Sequence, residues 1–145
     1  MREISTQIEI DAPASRIWAV LTDFPRYPEW NGFLLEAYGA VASGSQIKFR
    51  FELPRGFRMW TRATVLEARP GAQLRWAGNF LFDWLFRAEH YFRIEALGAA
   101  RARFAHGERF TGLLVPIAWL VLRHSGKPVY DDMNRALKQR AENGA

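Results

Sequence analysis

From Glu3 to Ile10 the chain alternates strictly. Ile4, Thr6, Ile8 and Ile10 share one side, and Glu3, Ser5, Gln7 and Glu9 share the other. A period of two predicts a strand with one dry face. Asp11-Ala12-Pro13 ends it, and Pro13 suits the first turn of a helix, where its missing N–H costs nothing. Ile17, Val20, Leu21 and Phe24 then follow helical spacing, with Trp18 off the stripe and a stop near Asp23, before Pro25. The next stretch, FPRYPEWN, holds two prolines and predicts a tight corner with at most one short helical turn. Strands follow near Phe33–Tyr38, Gln46–Leu53, Arg58–Ala68 and Gln73–Gly78, punctuated by Gly44, Pro54-Arg55-Gly56 and Pro70-Gly71. In the second of these, Gln46, Lys48, Arg50 and Glu52 alternate with Ile47, Phe49, Phe51 and Leu53, the pattern of a sheet wet on one side only.

Two longer strands, Arg87–Leu97 and Arg101–Thr111, flank a Gly98-Ala99-Ala100 turn. A turn centred on residue 99 sets His90 opposite Glu108 and Phe92 opposite His106, and opposed residues on one face approach to about 5 Å between Cβ atoms. One face of the second strand then carries Phe104, His106, Glu108 and Phe110. The C-terminal third is helical from near Leu113. Tyr130, Met133, Leu137 and Ala141 form its apolar stripe, and Gly126-Lys127-Pro128 is expected to kink or interrupt it. Asn79–Phe86 reads NFLFDWLF, although connectors are normally polar. It packs over the fold, rims an apolar pocket, or contacts a partner or membrane.

Composition changes this picture in three ways. Six Trp and eleven Phe in 145 residues exceed what a minimal core needs, which suits a hollow interior or an apolar contact surface. There is no Cys, so disulfide and thiolate chemistry are excluded. The net charge of +5 is scattered, with Arg55, Arg58 and Arg62 as the densest basic stretch. A solvated strand face is the leading reading of that stretch, a phosphate or anionic-lipid contact the alternative, and no nucleic-acid surface is expected. The opening MREISTQIEID lacks the apolar core of a signal peptide. The longest apolar run, Leu113–Leu122, contains Pro116 and falls far short of the about 20 residues a membrane span needs. A soluble, cytoplasmic protein is expected.

The candidate chemistry lies in His90, His106 and Glu108. An ionised carboxylate on an aromatic face needs partners. Glu108 with His90 or His106 makes either a buried pair that fixes strand register and orients a ligand, or a general acid/base pair. The same three are residue types of a two-His-one-carboxylate centre, but no metal is expected. His124, beside Gly126, reads as solvated. No phosphate loop, nucleophile elbow or thiol motif occurs.

The run IEIDAPASRIWAVLTDFPRYPEWN resembles the start of the START/SRPBCC superfamily, the polyketide cyclase/dehydrase and lipid-transport group. EHYFRIEALGAARARFAHGERFTG is similar to that group's last two strands, and YDDMNRALKQRAE to its closing helix. The middle, from Gly39 to Arg69, matches only in pattern. The resemblance implies one α+β domain over 1–145 with a helix-grip fold. A curved antiparallel sheet would wrap a long C-terminal helix, with two short helices after the first strand and an apolar cavity between sheet and helix. The expected wall is Trp30, Phe49, Phe51, Trp60, Trp76, His90, Phe92, His106, Glu108 and Phe110, joined from the helix by Ile117, Leu120, Met133 and Leu137. The leading expectation is binding of a hydrophobic small molecule (a lipid, polyketide or aromatic compound) without a cofactor. The alternative is a cofactor-independent cyclase or dehydratase using Glu108 with His90 or His106. A further alternative is a protein-interaction or membrane-contact module using Asn79–Phe86. Oligomeric state is open.

Overall fold

A computed structural model of the chain describes residues 1–144, apart from the side chain of Pro54; Ala145, counted in the expected domain, lies outside the described residues. Strand β1 (Arg2–Ile10) leads to helix α1 (Ala14–Thr22) and a 3-10 turn over Phe24–Glu29. Strands β2 (Leu34–Tyr38), β3 (Gln46–Leu53), β4 (Phe57–Arg69), β5 (Gln73–Asn79), β6 (Arg87–Gly98) and β7 (Arg101–Thr111) follow, and helix α2 (Val115–Glu142) closes the chain.

The seven strands form one antiparallel sheet in the order β1-β7-β6-β5-β4-β3-β2. It curls as a half-barrel around α2, the helix-grip arrangement. Consecutive strands from β2 to β7 pair as neighbours, and β1 joins the far edge of β7. The β6–β7 register is the expected one: His90 faces Glu108 and Phe92 faces His106. A bulge between Ala96 and Gly98 absorbs Leu97 at the turn.

The inner face is dry. Ile10, Leu74, Phe92, Phe104 and Leu137 are fully buried, and α1 adds Ile17 and Leu21. The outer face is polar and laced by charge. Arg75 bonds Glu67 and Glu89, while the guanidinium groups of Arg93 and Arg109 lie 4.5 and 4.8 Å from the centre of the Tyr91 ring. Tyr91 crosses Gly107, where a Cβ would stand 2.2 Å from its hydroxyl, so β7 needs a glycine there.

Helix α2 is not broken at Gly126-Lys127-Pro128; it runs from Val115 to Glu142. Pro128 removes the N–H that would bond the His124 carbonyl, but residue 124 is exposed and water can serve that oxygen. Gly126 is retained for close approach. A Cβ there would lie 2.3 Å from Ile4 Cδ1, so the helix crosses β1 nearly backbone to side chain. Arg58 and Arg62 are exposed on β4, and Arg55 is exposed in the turn that precedes it.

Candidate functional site

A cavity of about 300 Å³ lies between the inner face of the sheet and α2. Its sheet side is lined by Phe49 and Phe51 of β3, Trp76 of β5 and Phe110 of β7. Its helix side is lined by Leu122, Gly126, Val129 and Tyr130, and Phe33 and Phe86 close it laterally. The rings are arranged because period-two strands point Phe49, Trp76 and Phe110 to the same concave side. The sheet's curl keeps them from filling it.

The polar end is built by three residues. His90 Nδ1 lies 3.1 Å from Glu108 Oε2, and the Tyr130 hydroxyl donates to Glu108 Oε1. The cross-strand pair comes from the β6–β7 register, and Tyr130 comes down from α2. Behind them the chain of contacts continues away from the cavity. His90 Nε2 and His106 Nε2 are 2.9 Å apart, and His106 Nδ1 lies 3.0 Å from Asn134 Oδ1. Asn134 Nδ2 donates to Thr6 Oγ1 at 2.8 Å, and Thr6 donates to the His106 carbonyl at 2.7 Å. Every polar atom in this buried row has a partner, as a low-dielectric setting demands.

Burial pushes the Glu108 carboxyl up, but the charge of His90 and hydrogen bonds from His90 and Tyr130 outweigh it and hold the group below the usual carboxylate range. His106 is held well below the ordinary imidazole value by burial and by the charge of His90, against a smaller opposing bond to Asn134. Burial, with the Glu108 charge, holds the Tyr130 hydroxyl well above the ordinary phenol value. The site therefore presents an ionised carboxylate braced by a donor on each oxygen, in an apolar chamber.

Among the expected wall residues, Phe49, Phe51, Trp76, His90, Glu108 and Phe110 face the cavity. Phe92, His106, Met133 and Leu137 are buried in the packed core behind it. Trp30 stands apart, against the Tyr27 ring and beside a recess between α1 and Arg140. None of these five lines the cavity, and three further expected positions, Trp60, Ile117 and Leu120, lie on the exposed surface. Trp60 pairs with Arg50, so it lies on the outer face, stacked on Tyr38 and under the ammonium of Lys48. Its strand neighbours Met59 and Thr61 are the ones that reach the cavity. Ile117 and Leu120 are exposed, because Trp119 and Leu122 take the inward stripe of α2. The expected wall also lacked Phe33, Phe86, Leu122, Val129 and Tyr130, together with the supporting Asn134 and Thr6. A tyrosine on the apolar stripe of α2, four residues before a buried asparagine, was the signal for that end of the site.

Asn79–Phe86 forms part of the cavity mouth through Phe80 and Phe86. Phe80, Leu81, Phe82 and Trp84 are exposed, with the Phe82 and Trp84 rings stacked on each other. The loop is nonetheless shaped: Asn79 and Arg87 both bind Asp83, and the Leu113 N–H donates to the Trp84 carbonyl. That last bond ties the loop to exposed Leu113, just before α2, whose first turns expose Ile117, Leu120 and Val121. Among the described residues no helix is long and apolar enough to cross a membrane. No group of three or more His, Asp and Glu among them is arranged to hold a metal ion, and the two imidazoles face each other rather than a common centre.

Solved structures share this architecture. The Zhui aromatase/cyclase from Streptomyces sp. R1128 superposes with a TM-score of 0.76 at 14% identity, covering 98% of this chain and 94% of that one. A START superfamily protein from Mycobacterium smegmatis gives 0.72 at 19%, with 99% of both chains covered. The di-domain ARO/CYC BexL from the BE-7585A biosynthetic pathway gives 0.75 at 16%, covering 98% of this chain, which spans only 47% of BexL. At these identities the likeness shows the fold alone. No curated protein sequence matches the chain. The profile of the family described as polyketide cyclase/dehydrase and lipid transport, however, matches residues 1–142, nearly every residue that builds the curled sheet and its helix. The chain thus belongs to that family.

Proposed function

We propose that the chain binds an uncharged, largely apolar small molecule in the cavity, with one polar group of the ligand against Glu108, His90 and Tyr130. The observation that carries this reading is a chamber of about 300 Å³ walled by aromatic rings, with one braced carboxylate at its polar end. Ligand sites combine those features. At about 30 Å³ per water, the chamber holds roughly ten waters, which suits a compound of one to three rings or a single short chain better than a two-chain lipid. Each 100 Å² of apolar ligand surface removed from water contributes about 2.5 kcal/mol. In this reading residues 1–145 act as one domain, in the cytoplasm and without a cofactor.

Native mass spectrometry of protein purified from its own host tests this directly. A co-purified species of a few hundred daltons that leaves on denaturation is the expected result. Absence of any bound species, together with no uptake of added aromatic polyketides or fatty acids, would sink the reading.

A second reading is a cyclase or dehydratase, favoured by the 3.1 Å carboxylate–imidazole contact at the cavity wall and by the family. Glu108 would take a proton from carbon beside a ligand carbonyl, and the Tyr130 hydroxyl, released as Glu108 loses its charge, would turn its one proton to the enolate oxygen. The enolate carbon would attack a second carbonyl, and Glu108 would return the proton to the new alkoxide. Glu108→Gln separates the two readings. Affinity within a few-fold of wild type with no turnover to lose supports binding alone, while lost turnover at retained affinity supports catalysis.

A further inference from the structure

The buried row behind the cavity fixes where protons sit. Thr6 has one hydroxyl proton, and it goes to the His106 carbonyl, which can only accept. Thr6 Oγ1 must therefore accept from Asn134, which turns the amide NH2 toward Thr6 and its oxygen toward His106. Asn134 Oδ1 can only accept, so His106 carries a proton on Nδ1. At 2.9 Å, the two facing Nε2 atoms share one proton. If it sat on His106, that ring would be a cation at 0% exposure with no carboxylate in contact, a costly arrangement. The proton therefore belongs to His90 Nε2. His90 Nδ1, 3.1 Å from Glu108 Oε2, then faces that oxygen with one proton between them.

We propose that Thr6, Asn134 and His106, none of which reaches the cavity, are positioning residues for His90. They pin its Nε2–H and leave a single proton shared between His90 Nδ1 and Glu108 Oε2. The polar end of the cavity is thereby a charge-neutral unit that can give or take one proton, and it accepts uncharged ligands bearing a carbonyl or hydroxyl while rejecting anions. The groups facing it from other elements are Tyr130 of α2, Trp76 of β5 and Phe33 before β2. Of these only Tyr130 titrates, and it donates to Glu108 as a neutral hydroxyl; the arginine on the cavity lining, Arg62 of β4, is solvent-exposed. The ligand-selection half of this proposal rests on the binding reading above; the positioning half does not.

Long-range 1H–15N spectra of the full chain, labelled at its three histidines, test the positioning half without any ligand. His124 is exposed and serves as an internal reference. The expected spectrum shows His106 protonated on Nδ1 and bare on Nε2, without titration between about pH 6 and 8, and His90 protonated on Nε2. His106 protonated on Nε2, or changing its protonation within that window, overturns the proposal. Thr6→Val frees the amide to turn over and should populate both His106 tautomers, whereas Thr6→Ser should keep the wild-type pattern. Identical spectra for wild type and Thr6→Val overturn the role of Thr6.

The selection half is read with two dyes that differ by one sulfonate. Neutral N-phenyl-1-naphthylamine should bind at least about tenfold more tightly than anionic 1-anilinonaphthalene-8-sulfonate, since a buried anion beside a neutral unit is unpaired. Equal affinity, or preference for the anion, overturns selection by charge. If neither dye binds, the selection half fails with the binding reading, while the His106 tautomer still decides the positioning half.

Discussion

His106 is the residue whose surroundings constrain stability most. The native chain keeps it neutral well below the ordinary imidazole value, so below about pH 6.5 the unfolded chain takes up a proton that the folded chain refuses. Stability therefore falls as pH drops, by up to about 1.4 kcal/mol per unit for one proton. Glu108 acts in the same direction lower down: its depressed carboxyl value stabilises the fold above the ordinary carboxylate range, and that contribution is lost as pH falls through the native value. Urea unfolding at about pH 6 and about pH 5, where the unfolded chain binds more protons throughout, should show roughly 1 kcal/mol less stability at the lower pH; a rising profile contradicts a neutral buried His106. His90 and Glu108 were legible as a pair because register follows from the turn. Which imidazole touches the carboxylate was not, because that depends on Asn134 arriving from a helix whose rotation no strand pattern encodes.

The elements themselves were read closely, and the exceptions have local causes. Period-two alternation placed β3 and β7 at their observed ends, since each has one wet and one dry face. It could not say that Met59 and Thr61, rather than Trp60, reach the cavity, because β4 carries large apolar residues on both faces. The continuity of α2 through Pro128 was missed because the sequence shows the lost N–H but not the exposure of residue 124. Two predictions belong to elements. Gly107→Ala in β7 meets the Tyr91 ring and the Ile4 carbonyl oxygen, the latter at 2.7 Å, and should cost about 1–3 kcal/mol by urea denaturation. Replacing Phe82 and Trp84 together with Ser should leave stability within about 0.5 kcal/mol, since both rings are exposed. A larger loss would show the loop to be part of the core. The same variant tests membrane contact, because unchanged partition onto anionic liposomes would dismiss that role for the loop.

For the whole molecule, the hollow is what separates this chain from a solid core of the same composition. Ala88 lines it from β6, and Ala88→Leu adds side-chain volume into empty space rather than into packed neighbours. The variant should change the unfolding midpoint by less than about 1 kcal/mol yet release or exclude the co-purified species seen by native mass spectrometry. A strongly destabilised Ala88→Leu would show the chamber to be narrower than the wall residues imply. The aromatic surplus pointed to this hollow, but its size and its opening between β3, α2 and the 79–86 loop arise from sheet curl, which depends on all seven strands together.

The hydrogen bond from Asn134 to Thr6 joins residues 128 positions apart, between the first strand and the last helix. Strands β2 to β7 assemble through neighbouring hairpins, whereas β1 must find β7 across almost the entire chain, a slow, non-local closure. Until it does, His106 and Asn134 lack their partner on β1 and remain costly to bury. A β1 docked one residue out of register would turn Thr6 outward and leave that cost standing. The polar row thus penalises every alignment of β1 except the one in which Thr6 meets Asn134 of α2.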